Sequence, residues 1–408
     1  MIGRIQAVVG TLFFLCYAYQ FVYLAVALRR RRTPSTPGPQ RRIAVLIAAR
    51  NEEAVVGQLI DSITAQTYPA DRYTVFVVAD NCTDNTAGVA LAHGATVLRR
   101  QDSRLVGKGY ALQYLLERVE RLSTDAPYDA FLVLDADNLL APGYLTAMDR
   151  ALTDHRVVTG YRNSKNYGDN WISAGYALWF LRESQLNRAR ALLRVSCVVA
   201  GTGFAFTRQV MEQQGGWPFH SLTEDTEFTA EWICRGETIG YCEDAQLYDE
   251  QPVRFSQSVR QRMRWAKGYF RVLQRYGGRL LSSALRGRFA GYDLVAAMLP
   301  AFLASVATLL LTLIDLVVQA VVGGDLAAPV WRLAHTVAGT YGTLLLLGGV
   351  TLVTEWRHIR ATAGRKVGFW LLFPAFMLTY VPVALAALVC PVEWTPIAHT
   401  RTLPLDRL

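Results

Sequence analysis

From Ile5 to Leu28 the chain carries no charged side chain. A run of that kind has few options in water. As a helix, its twenty-four residues rise about 36 Å, enough to cross a hydrocarbon core of roughly 30 Å. A cleaved signal peptide is the alternative, but the run is too long for one and no small-residue cleavage site follows it. Arg29, Arg30, Arg31 and Arg32 follow instead, and the excess of positive charge on cytoplasmic flanks orients them inward. The expectation is a retained N-terminal anchor over residues 1–32.

The C-terminal third repeats the pattern. Apolar spans are expected near 292–321, 336–354 and 368–390, within a membrane region over 291–391. Basic residues flank them: Arg279, Arg286 and Arg288 before the first, and Arg357, His358, Arg360, Arg365 and Lys366 between the last two. Pro374 and Pro382 interrupt the last stretch, which reads as broken or re-entrant as readily as straight. Asp315 either lines a polar pathway or marks the end of a shorter span. A count of four spans leaves the tail, 392–408, outside. The formal charge of +9 is accounted for by anchoring to anionic lipid, so no nucleic-acid partner is called for. The expected setting is a multi-pass protein of the cell membrane with a cytoplasmic catalytic domain. None of the six cysteines forms a CxxC pair, and the six histidines lack ligand spacing. Any metal must therefore be held by carboxylates.

Between about Arg41 and Tyr276 the pattern is that of a water-soluble α/β unit. Ile43–Ala49, Tyr73–Ala79 and Ala130–Leu134 are apolar runs without alternation, as in strands buried on both faces. Helical patterns follow at 53–66, after Thr83, and at 108–121. This order predicts a mostly parallel sheet covered by helices, with ligands beyond the strand ends. Polar clusters fall at those ends: Arg50-Asn51-Glu52, Asp80-Asn81 and Asp135-Ala136-Asp137-Asn138. Two carboxylates one residue apart after a buried strand can share Mg²⁺ or Mn²⁺ with substrate phosphates. The plainer alternative is a loop acid capping the helix that begins near Pro142. No phosphate-binding G-x-x-x-x-G-K-[ST] loop is present, and the G-x-G at 201–203 lacks a third glycine.

Seven motifs occur in one order: A-A-R-N-E at 48–52, V-A-D-N-C-T-D at 78–84, G-K-G at 107–109, D-A-D at 135–137, G-T-G at 201–203, T-E-D at 223–225 and Q-R-M-R-W at 261–265. On these residues the chain resembles the inverting family 2 glycosyltransferases, particularly the membrane synthases related to cellulose, hyaluronan, chitin-oligomer and poly-N-acetylglucosamine synthases. The resemblance implies a GT-A fold over 41–254, interfacial amphipathic helices over 255–290, and a divalent cation, Mg²⁺ or Mn²⁺. It implies that Asn51, Glu52 and Asp80 line the nucleoside pocket, with Asp84 in the same loop. Lys108 would approach the donor diphosphate, and Asp135 and Asp137 would hold metal and diphosphate, Asp137 most directly. Asp225 would be the general base. Gly201, Thr202, Gly203, Glu224, Gln261, Arg264 and Trp265 would serve acceptor and diphosphate. Read locally, Ser221 and Glu224 instead have capping-box spacing, which would make the T-E-D acids a helix start. The basic stretch 259–275 also reads as a helix lying on the membrane surface.

The chain departs from the family pattern in two places. One acid, Asp80, stands where two adjacent acids are common. The membrane region is small for exporting a polymer, so a second copy or a membrane partner would have to complete a channel. Three readings follow. The first is extension of a β-linked polysaccharide from a UDP-hexose or UDP-N-acetylhexosamine. The second is transfer of one or a few sugars to a lipid-linked acceptor. The third is a non-catalytic scaffold that binds nucleotide-sugar.

Overall fold

A computed structural model describes residues 2–29, 38–298, 300–397, 399 and 401–402. Of the expected basic flank, Arg30–Arg32 lies outside the described residues. The catalytic unit is built on an eight-stranded sheet of β1 (Ile43–Ala49), β2 (Tyr73–Asp80), β3 (Thr96–Arg100), β4 (Ala130–Asp135), β5 (Leu139–Leu140), β6 (Val157–Ser164), β7 (Phe204–Thr207) and β8 (Gly240–Asp249). Its order is β3-β2-β1-β4-β7-β6-β8-β5. The first four strands are parallel neighbours, and β7 is antiparallel to both β4 and β6. Half of the sheet is thus the parallel sheet expected, and the other half is mixed.

The unalternating strands are buried on both faces, as their sequences require. Val45, Ile47, Val75, Val77, Leu132 and Leu134 belong to one core cluster with Leu59 and Ile60 of α3 (Val56–Thr64). Ala44, Leu46, Phe76, Val78, Phe131 and Val133 belong to the other. That second cluster includes Leu112 and Leu115 of α5 (Lys108–Leu122), and Phe228 and Trp232 of α9 (Glu224–Cys234). The remaining short helices are α4 (Thr86–Ala92), α6 (Tyr144–Ala151) and α8 (Arg208–Gln214). Pairing of Ala48 with Asp135 and of Ala49 with Ala79 brings Arg50, Asp80 and Asp135 to one edge of the sheet. The register therefore assembles the expected strand-end clusters.

Two long helices join this unit to the membrane region: α7 (Trp171–Leu192) and α10 (Phe255–Leu285). The N-terminal run forms α1 (Ile2–Tyr17) and α2 (Tyr19–Ala27). Tyr19 and Tyr23 donate to Asp293 at 2.8 and 2.9 Å, and Arg190 Nε donates to the same carboxylate at 2.8 Å. The expected span near 292–321 is two helices, α11 (Phe289–Met298) and α12 (Pro300–Val322), and Pro300 opens the second, where a missing N–H costs nothing. Then come α13 (Ala327–Thr354), α14 (Ala363–Leu378) and α15 (Tyr380–Val389). Asp315 lies within α12, buried in an ion pair with Arg332 of α13.

By length and composition Ile2–Ala27, Ala327–Thr354 and Ala363–Val389 can each cross a membrane. The last of these is broken, as its prolines suggested. Both ends and the middle are tied to the catalytic unit or to the two helices that join it to the membrane region. Tyr167 donates to the Lys366 carbonyl at 2.9 Å, and Phe376 packs on Tyr176. Near the far end, Lys267 Nζ donates to the Ala387 carbonyl at 3.0 Å. The exposed face expected for the basic helix α10 is incomplete, because Arg262 is fully buried. Its guanidinium donates to the Phe376 carbonyl at 3.1 Å and to Thr379 Oγ1 at 2.8 Å, where α14 gives way to α15. Lys267 likewise caps the carbonyl end of α15. The described residues beyond Cys390 return to the strand ends, where His399 meets Glu52, instead of lying outside. Arg262→Ala would remove the charged donor to the Phe376 carbonyl and the Thr379 hydroxyl, leaving that carbonyl with the Thr379 hydroxyl, and is expected to cost about 1–3 kcal/mol. Thermal unfolding in detergent checks this, with Arg260→Ala, at an exposed position, expected to stay within about 0.5 kcal/mol of the parent.

Candidate active site

One cavity of about 920 Å³ opens at the strand ends and runs between the catalytic unit and the membrane helices. Glu52, Asp80, Lys108, Asp135, Asp137, Gly201, Glu224, Asp225, Gln261, Arg264 and Trp265 all contribute to its walls. Asn51, Thr202 and Gly203 are not among those walls. Asn51, at φ 58°, accepts the Thr83 N–H at 2.8 Å and so fixes the 81–86 loop. Asp84 accepts the Glu53 N–H at 3.2 Å and the Thr86 hydroxyl at 2.6 Å, tying the same loop to β1. Thr202 donates to Asn138 and accepts the Asp135 N–H at 2.9 Å, which holds the D-A-D turn. Gly203 has φ 67°, and a Cβ there would meet Leu247 Cδ2 at 2.0 Å. These three order the turns around the site.

Lys108 Nζ is ion-paired with Asp135 and donates to the Gly201 carbonyl at 2.7 Å, with Glu224 Oε1 at 3.9 Å. Three segments thus gather oxygen around one positive charge. Asp137 is buried and accepts the Glu250 N–H at 2.9 Å. Burial opposes its ionisation, but His399, Lys165 and the Glu250 N–H override that and hold its pKa below the ordinary carboxylate value. Asp80 is buried, with Oδ1 accepting from Arg100 at 2.6 Å, so only part of it faces a ligand.

Asp225 lies in the first turn of α9, half-buried, and burial raises its pKa. Burial also pushes Glu224 up to about 7. The capping box between Ser221 and Glu224 does not form. The N-cap is Thr223, without a side-chain cap, and the Ser221 N–H goes to Glu227 at 3.1 Å. On α10, Arg264 donates to the Leu222 carbonyl at 3.1 Å, just ahead of α9. Trp265 is wedged edge-on among Tyr176, Trp179 and Phe180.

The tail supplies residues that the sequence did not single out. His399 Nδ1 is 3.0 Å from Glu52 Oε1, Trp394 lies against the Arg50 guanidinium, and the Arg401 N–H donates to Glu250 at 2.8 Å. Burial alone would lower the His399 pKa; Asp137, Glu52 and Glu250 outweigh it and bring it up to about 10. A lone histidine some 260 residues from the D-A-D motif carried no spacing signal. Among the described residues no group of three or more His, Cys, Asp or Glu forms a ready metal cage. The donor set nonetheless suits a hard cation shared with a diphosphate: Asp135 and Asp137 offer oxygens already arranged about positive charge. The His399 ring, held protonated by Asp137, Glu52 and Glu250, would have to give up its Nε2 proton to serve as a further ligand.

The family model described as "Glycosyltransferase like family 2" matches residues 39–268. A beta-monoglucosyldiacylglycerol synthase of Synechocystis is 25% identical over 245 residues, covering 58% of this chain and 49% of that protein. A poly-beta-1,6-N-acetyl-D-glucosamine synthase of Staphylococcus aureus is 24% identical over 243 residues, covering 57% and 56%. The chain spans about half the length of these curated relatives. A mannosyltransferase of Pyrobaculum calidifontis, solved with GDP-Man and Mn²⁺, superposes with TM-score 0.59 at 18% identity, over 95% of this chain and 99% of that one. That likeness extends the shared fold through the membrane helices.

A buried acid with a raised pKa takes up a proton earlier as pH falls. With Asp225 as base, the rate is expected to drop through an acid limb centred above about 4, the ordinary aspartate value. A pH profile of nucleotide release that stays flat down to pH 4 would exclude Asp225 from proton transfer.

Proposed function

This chain belongs to the glycosyltransferase-like family 2, and from that premise we propose that it transfers a sugar from a nucleotide-diphosphate donor to a hydroxyl of a membrane lipid. The observation that carries the acceptor is the cavity itself. Beyond Asp225 its walls are apolar side chains of the membrane helices: Val9 and Phe13 of α1, Leu309 of α12, and Leu333, Val337 and Leu344 of α13. A wall of this kind suits alkyl chains, while the carboxylate end suits a polar headgroup.

In this reading the donor, a UDP-sugar, enters at the strand ends, with Asp80 and the Asn51-ordered loop around the nucleoside. A divalent cation held by Asp135 and Asp137, with His399 alongside, would neutralise charge on the leaving diphosphate. Lys108 and Arg264 supply further positive charge to the same oxygens. Asp225 accepts the proton of the acceptor hydroxyl as it attacks the anomeric carbon from the face opposite the diphosphate. One carboxylate then suffices, and the configuration inverts. The returning tail covers the site with Trp394 and His399 and excludes water.

Chain extension is the second reading, favoured by Trp265 on the cavity wall beside Gln261 and Arg264, where an indole suits a sugar ring. It requires a second copy or a membrane partner to complete an export path. A silent scaffold would have no need of the base.

The test is nucleotide release by purified protein from a panel of UDP- and GDP-sugars, with Mg²⁺, Mn²⁺ or EDTA and with monooleoylglycerol as acceptor. Release from one donor is expected, abolished by EDTA and by Asp137→Ala and lowered about 10²–10⁴-fold in Asp225→Asn. Gly10 lines the cavity and a Cβ there meets nothing within 4 Å, so Gly10→Phe would add bulk at the apolar end. It is expected to suppress transfer to the lipid while leaving slow hydrolysis of the donor intact. Full activity in Gly10→Phe would remove the lipid reading, and retained activity in Asp225→Asn would remove the mechanism.

A further inference from the structure

Buried polar groups in folded proteins almost always have hydrogen-bond partners. On the cavity wall leading from Asp225 toward the membrane helices, one does not, and two half-buried groups on the same wall are also without one. Gln261 Oε1 is buried without a partner. Glu183 of α7 and Tyr269 of α10 line the same cavity, and among the described residues neither side chain makes a hydrogen bond. Arg190 Nη1 stands 3.9 Å from Glu183 Oε2, too far for one, and is itself bonded to Asn187 at 3.0 Å while Nε serves Asp293 at 2.8 Å. Tyr269, Asp225 and Glu183 all line this cavity, so the three groups border one chamber.

The charges of this chamber are as telling as its vacant hydrogen bonds. Of the cations on the cavity wall, Arg162 is ion-paired with Asp249, Arg190 with Asp293 and Lys108 with Asp135. Arg50 stands at the strand-end side, against Trp394, and Arg264, which donates to the Leu222 carbonyl at 3.1 Å, is the cation that the reading above assigns to the donor diphosphate. Beside Glu183, Arg190 is shared with Asp293 and the neighbouring Arg182 donates to Gln20 at 2.7 Å, so among the described residues no cation on the cavity wall there is free to receive an anionic headgroup, and the carboxylate would repel one.

We propose that Glu183 is a specificity-determining residue for the acceptor: it accepts a hydrogen bond from a second hydroxyl of an uncharged, hydroxyl-bearing lipid headgroup whose first hydroxyl faces Asp225. Gln261 and Tyr269 complete the polar ring, and lipids headed by phosphate are disfavoured. This rests on the lipid-acceptor reading above and goes further by fixing the headgroup's charge and hydroxyl count.

The test uses the full chain in detergent and two probes that share one oleoyl chain and a glycerol unit. Monooleoylglycerol carries two hydroxyls; oleoyl lysophosphatidic acid carries a phosphate. Native mass spectrometry reads their binding without requiring turnover. Monooleoylglycerol is expected to bind the parent protein more tightly than lysophosphatidic acid. Glu183→Gln and Glu183→Ala are each expected to weaken it about tenfold, the loss of one hydrogen bond to a charged group. In turnover, Glu183→Gln is expected to raise the KM for monooleoylglycerol by a similar factor while kcat and the donor KM hold, which a merely structural role would not produce. Equal or tighter binding of lysophosphatidic acid by the parent protein would overturn the proposal, as would variants that bind monooleoylglycerol like the parent. The two readings fail separately. Glu183-dependent lipid binding without nucleotide release from any donor would sink the transferase reading alone. Lipid glycosylation indifferent to Glu183 would sink this one alone.

Discussion

Eight carboxylates, Glu52, Asp80, Asp135, Asp137, Glu224, Asp225, Asp249 and Glu250, line one cavity at one end of the sheet, and such a cluster is tolerable only when positive charge is brought to it. The chain brings that charge from distant segments. Lys108 comes from the start of α5, Arg162 from β6, Lys165 from the loop after it, and His399 from the tail. The cluster therefore depends on almost every element of the catalytic unit being in place. It also explains why the tail is drawn back across the site: Glu52 and Glu250 meet the His399 ring and the Arg401 N–H.

That return is possible only because α14 and α15 are held down along α7 and α10. Arg262 and Lys267, two residues of the basic stretch, spend their charge on exposed helix carbonyls instead of on lipid headgroups. The same clamp forms one side of the cavity, with Met377, Tyr380 and Pro382 on its wall. Tail, acceptor chamber and membrane helices are thus mechanically one assembly. The ion pair of Asp293 with Arg190, bridged by Tyr19 and Tyr23, fixes α2 to that assembly from the other side.

Much of this was legible in the sequence. Unalternating apolar runs gave β1 at its observed bounds and β2 and β4 to within a residue, because strands buried on both faces leave no room for polar side chains. The polar clusters fell at their carboxyl ends for the same reason. The capping-box reading of Ser221 and Glu224 shows the opposite case. Spacing alone could not exclude it, and it failed because the Ser221 N–H found Glu227 and the helix began later. The membrane count was only partly legible. Apolar length says that a helix can cross a membrane, but not whether its ends are tied to the same side.

What the sequence by itself determined is local: the α/β unit, the strand ends where the acids gather, the motif residues Asp80, Lys108, Asp135, Asp137, Asp225 and Arg264, and the apolar helices at both ends of the chain. Each follows from periodicity or from motif order within a short stretch. Tertiary structure alone decided which of these face the cavity and which hold turns, as Asn51, Thr202 and Gly203 do. It also brought His399, Trp394 and Glu183 to the site, and ran the cavity on into apolar walls. Those outcomes depend on charge balance and packing between residues up to some 350 positions apart, and no pattern along the chain encodes an encounter of that kind.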